Sequence, residues 1–118
     1  IPGLLIYRYD APLFFANAAD FRRRALAAMD HAAPQVRWFV LNAESNVEVD
    51  ATALAALEHL RADCVRRGVV FAMARVKQDL RDALAAAGMI DSIGADRIFM
   101  TLPTAVAAYR QEFPDGQG

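Results

Sequence analysis

Asp50 and Thr52 open an apolar helical pattern directly after the polar run Glu44, Ser45, Asn46 and Glu48, which concentrates hydrogen-bonding side chains at one point of the sequence. An Asp at the N-cap accepts a hydrogen bond from an amide that has no partner inside the helix, and it complements the positive end of the helix dipole. The Thr52 hydroxyl then falls in the first turn, where a phosphate is also favoured, so Thr52 is a candidate phospho-acceptor. This chemistry is recognition and switching. Glu44, Ser45, Asn46, Glu48 and Asp50 are read as an interaction loop, spanning about Asn42 to Ala53 between an apolar strand and an apolar helix. Two helix starts, Asn17-Ala18 and Thr52-Ala53, expose amides suited to weak binding of an anion or a nucleotide.

Other chemistries find no such concentration. His31 and His59 have no partner at metal-ligand spacing, and Cys64 is the sole cysteine, so neither a disulfide nor a metal site is expected. Cys64 falls on the apolar side of a helix and reads as a small core residue. The six glycines stand singly, without a phosphate-binding loop, and no Gly-x-Ser-x-Gly elbow is present. No cofactor and no enzymatic activity are expected. Arg22-Arg23-Arg24 point about 100° apart on a helix and read as a solvated face. A net charge of −1 gives no general attraction to nucleic acid.

The elements that must hold the loop follow from periodicity. With 118 residues, 56% of them hydrophobic, the chain suits one compact domain. Leu4–Tyr9 and Leu13–Phe15 read as strands, Pro12 limiting the second to an edge. A helix follows from Asn17, with Phe21, Ala25, Ala28 and Met29 inward and Pro34 as its stop. Val36–Asn42 is a strand buried on both faces. The helix 51–67 turns Ala53, Leu57, Leu60 and Cys64 inward and stops at Gly68. Val69–Met73 is a further buried strand. Gln78–Ala87 is a helix with Leu80, Ala83, Leu84 and Ala87 inward, ended by Gly88. Ile98–Met100 is a short strand, and Thr101–Thr104 opens the last helix. The expected fold is α/β: a single domain with a mixed, mostly parallel sheet of about four to five strands covered by four helices. No apolar run reaches the roughly 20 residues that span a bilayer.

Three segments carry a resemblance to the STAS domain, shared by bacterial anti-sigma-factor antagonists and the C-terminal cytoplasmic part of SulP-type anion transporters. Pro2-Gly3-Leu4 through Asp10-Ala11-Pro12-Leu13-Phe14-Phe15-Ala16-Asn17-Ala18 resembles the opening of the transporter branch. Asp50-Ala51-Thr52-Ala53 is similar to the antagonists' Asp-Ser-Ser-Gly signature, with Thr52 in the place of the phosphorylated Ser and Ala51 and Ala53 replacing Ser and Gly. Ile93-Gly94-Ala95-Asp96-Arg97-Ile98-Phe99, with Thr104 to Tyr109, resembles the closing strand and helix. The resemblance implies a non-catalytic regulatory domain of an inorganic-anion transporter, with sulfate the expected anion. Residues 1–118 would then be a C-terminal fragment of a membrane protein, at the cytoplasmic face of a bacterial inner membrane. Its expected partners are the transporter's own transmembrane domain, a cytosolic protein or a second copy, and a weakly bound nucleotide or anion. The alternative implied by the same resemblance is a free-standing anti-sigma-factor antagonist switched at Thr52.

Overall fold

Two hydrophobic periods, alternating in the strands and 3.6-residue in the helices, assemble into a sheet with helices on both sides. The computed structural model describes residues 3–8, 18–32, 36–43 and 51–114. Within them the order is β1 (Leu4–Tyr7), α1 (Ala18–His31), β2 (Trp38–Asn42), α2 (Ala51–Arg66), β3 (Val70–Ala74), α3 (Gln78–Ala86), α4 (Met89–Ile93), a 3-10 turn (Ala95–Arg97) and α5 (Leu102–Glu112). The strands lie in the order β1-β2-β3, all parallel, with Leu5 beside Phe39 and Phe39 beside Phe71. Parallel strands need crossovers, and α1 and α2 supply them.

The register separates two cores, because successive strand side chains point to opposite faces. Leu5, Tyr7, Phe39, Leu41, Phe71 and Met73 join the larger cluster, built with residues of α1 to α4. Phe39 and Phe71 stack there with ring centroids 6.1 Å apart. Leu4, Trp38, Val40, Val70, Ala72 and Ala74 form the second cluster, and Ala105 and Tyr109 of α5 pack into it. The Trp38 and Tyr109 rings meet edge to face at 5.4 Å, a favourable aromatic geometry. In α1 Phe21, Ala25 and Met29 are buried, as the helical spacing predicts, while Ala28, also expected inward, is half-buried.

The expected fold class stands, with differences in its details. The strand expected at Ile98–Met100 contracts to one parallel bridge between Ile98 and Met73, and Met100 is 79% exposed. The Thr101 side chain accepts a hydrogen bond from the Thr104 amide at 3.2 Å, so a capped helix begins before a ladder can extend. Among the described residues five helices stand where four were expected, because Gly88 adopts φ 75° after α3 and the chain then winds a further turn as α4. Ala87, expected inward, is exposed. At the end of α2, Gly68 takes φ 71° and the Val69 amide closes back on the Cys64 carbonyl at 2.8 Å, which needs a residue tolerant of left-handed backbone. The expected strand Leu13–Phe15, with its mixed edge, lies outside the described residues. Among the described residues, no helix is long and apolar enough to cross a membrane.

Candidate functional site

Parallel topology brings the sequence's candidate helix starts to one end of the sheet. β1 and β2 both run toward that end, and α1 and α2 start from it. Open α/β sheets bind ligands outside the carboxyl ends of their strands. Ala43 continues the ladder past β2, its amide donating to the Ala74 carbonyl at 2.9 Å, and the chain re-enters description at Ala51. Thr52 is the second residue of α2 and half-buried, Ala53 is fully buried, and Ala18 is the half-buried first residue of α1. Asn17 and the loop residues Glu44, Ser45, Asn46, Glu48 and Asp50 lie outside the described residues, as does the expected capping by Asp50.

One feature of this end was absent from the sequence reading. Arg75, directly after β3, is exposed and holds φ 59°, the left-handed region, with no glycine's freedom to do so. Such backbone is uncommon for a side chain of this size. Arg8 follows β1 and Lys77 precedes α3, so the ends of β1 and β3 carry cations. A lone Arg between strand and helix carries no sequence signal of its backbone conformation.

Within the arginine cluster, Arg23 and Arg24 are exposed, as the expected solvated face requires, and Arg22 has a different use. Arg22 of α1 donates Nε to Oδ2 of Asp63 at 2.6 Å and Nη2 to Oδ1 at 2.8 Å. Asp63 lies on α2, only 5% exposed, and also pairs with Arg66. The hydrogen bonds from Arg22 hold the Asp63 carboxyl below the usual carboxylate range, against the opposing effect of burial. Arg23 and Arg24 pair with Asp20 on their own helix, and Arg67 reaches Asp30 at 2.6 Å. The Arg22–Asp63 and Arg67–Asp30 pairs join α1 to α2. Sequence reasoning passed over Asp63 because nothing local marks a carboxylate beside Cys64 as buried.

The remaining titratable candidates have structural roles. Cys64 is fully buried, and burial, then the charge of Asp63, pushes its thiol up to about 12. A thiol so far above neutrality is a poor nucleophile. His31 Nδ1 lies 2.7 Å from the Ala27 carbonyl at the end of α1, and His59 is exposed on α2.

Comparison with known proteins agrees with this architecture. The STAS domain family profile matches residues 1–105. A probable sulfate transporter of Mycobacterium tuberculosis is 69% identical over 111 residues, covering 94% of this chain and 20% of that protein. The chain therefore spans about a fifth of the length of the curated relatives it matches. Among solved structures, the crystal structure of a sulfate transporter family protein from Wolinella succinogenes is similar, with a TM-score of 0.78 and 28% identity, covering 95% of this chain and 88% of that one. The solution structure of a STAS domain from M. tuberculosis is 59% identical with a TM-score of 0.57, covering 92% and 88% of the two chains. The parallel sheet, the helices on its two faces and the profile match through residue 105 lead to one assignment: this chain belongs to the STAS domain family.

Proposed function

We propose that this STAS domain is the non-catalytic regulatory and interaction domain of a SulP-type inorganic-anion transporter, with sulfate as the transported anion. The observation that carries this reading is the 69% identity to a probable sulfate transporter, sustained over 94% of the chain. In this reading the domain lies at the cytoplasmic membrane face, tethered to the transporter's transmembrane domain. Its working surface is the Glu44–Asp50 loop with the start of α2. Partner binding at that surface is transmitted to the transport helices through the rigid α1–α2 pair. The amides at Asn17-Ala18 and Thr52-Ala53 bind anion or nucleotide only weakly, because helix ends alone supply little affinity.

Charge reversal of Glu48 and Asp50 together in the full-length transporter is the test. Sulfate uptake is expected to change several-fold, roughly the 1–2 kcal/mol that a lost polar contact contributes, while the 118-residue chain keeps its circular dichroism spectrum. Unchanged uptake with both charges reversed would remove the loop from the mechanism. The antagonist alternative separates at the upstream reading frame, where a start codon within a few residues of Ile1 would replace the transporter reading.

Thr52 is the proposed phospho-acceptor of that surface. A phosphate there adds about −1.5 to −2 charges at pH 7. The helix dipole favours it by about 0.3–1 kcal/mol. Nearby carboxylates offset a similar amount, so the effect falls on partner binding rather than on stability. Phosphopeptide mass spectrometry of protein from its own host is the test. Ala51 and Ala53 break the antagonist motif, and stoichiometric phosphate on Thr52 despite that break would favour the antagonist reading. None under several growth conditions would leave Thr52 as an ordinary first-turn residue.

A further inference from the structure

The far end of α2 borders a cavity. Val65 lies thirteen residues beyond Thr52, about 20 Å along the helix axis. There, a cavity of about 300 Å³ opens between the end of α2, the outer edge of β3, α4 and the 3-10 turn. Arg61, Arg97 and Ser92 are the polar residues of its lining, and among the described residues no carboxylate belongs to it. Arg61 turns Nε and Nη2 toward Glu58 at 2.9 and 2.5 Å, so that fork leaves Nη1 outside it. Arg97 lies over the Trp38 ring, 4.5 Å from its centroid, and contacts Glu112 with Nη1 at 3.3 Å.

The sheet edge adds a backbone donor. Val70 donates its amide inward to the Arg37 carbonyl at 2.9 Å, so the alternation of a parallel ladder turns the Phe71 amide outward. Beyond that edge the described chain meets β3 at the Met73–Ile98 bridge. Apolar surface completes the lining: Val65 is 61% exposed at the rim, and Phe71 and Ile93 are buried beneath it. Arg61 Nη1 and the edge amide are the donors that match a carboxylate, while the Ser92 hydroxyl donates to the Gly88 carbonyl at 3.4 Å and Trp38 and Glu112 hold the Arg97 guanidinium. The apolar wall favours a ligand with a hydrocarbon body over a bare inorganic ion.

We propose that this cavity binds a small organic anion, a carboxylate on an apolar body, as an effector site separate from the loop at the start of α2. The test titrates the 118-residue chain with octanoate, octanol and sulfate, followed by amide chemical shifts. Octanoate is expected to saturate, with shifts centred on Val65, Phe71, Ser92 and Ile93. Octanol is expected to bind about tenfold to a hundredfold more weakly, as loss of charge-assisted hydrogen bonds implies. Arg61→Gln and, independently, Val65→Asp at the exposed rim should each weaken octanoate about tenfold or more while leaving the remaining shifts in place. Equal binding of octanol, tighter binding of sulfate, or shifts centred on Ala18 and Thr52 would overturn the assignment.

Discussion

Trp38→Ala is expected to destabilise the chain by about 3–5 kcal/mol, the range for truncating a large buried aromatic. Trp38 is fully buried on β2, the middle strand, and faces the layer that α5 covers. Tyr109 meets its ring edge to face, and the Arg97 guanidinium lies over it. Truncation therefore removes the floor on which α5 rests as well as the buried area itself. Trp38→Phe should cost much less. The indole Nε1–H is buried without a hydrogen-bond partner among the described residues, so phenylalanine loses packing volume but no hydrogen bond and removes an unsatisfied donor. Urea unfolding followed by far-ultraviolet circular dichroism measures both, since the substitution removes the chain's single tryptophan. A loss below about 1 kcal/mol for Trp38→Ala, far short of the core-truncation range, would mean that α5 does not depend on this contact.

Asp63→Ala is expected to cost about 1–3 kcal/mol, the scale of hydrogen bonds to a charged group in a protected setting. Arg22→Ala should be the more damaging arginine substitution, because it leaves a buried carboxylate with only Arg66, whose side chain is 64% exposed. Arg66→Ala should have little effect. The pH dependence has a definite sign. Arg22 depresses the folded-state pKa of Asp63 below its unfolded value. The stabilisation is therefore complete above the unfolded value, about 3.9, and disappears as pH falls through the folded value. Glu58, whose pKa Arg61 lowers chiefly through its hydrogen bonds, contributes with the same sign. Asp63→Asn should consequently flatten the acid side of the stability curve in part. Urea midpoints between pH 7 and pH 2.5 test this, and an unaltered acid slope in Asp63→Asn would show that the pair does not couple folding to protonation.

Much of the architecture was legible in the sequence because it depends on local rules. The spacing of Phe21, Ala25 and Met29 reports a helix face, and the run Trp38–Leu41 reports a strand buried on both sides. Gly68 and Thr101 mark a helix end and a helix start, because backbone conformation and capping are settled within a few residues. The family was legible as well, through the segments at 2–18, 50–53 and 93–109. Tertiary structure alone decided where side chains distant in sequence meet. Arg22 and Asp63 are 41 positions apart, and only the packing of α1 on α2 converts a basic run and an ordinary Asp into a part-buried ion pair. The cavity beside β3 likewise combines α2, the sheet edge, α4 and the 3-10 turn, and no stretch of sequence contains its outline. Short-range periodicity encodes which face of an element is apolar. Which charged groups share the space between two elements depends on their relative placement, and that placement arises only when the apolar faces are buried together.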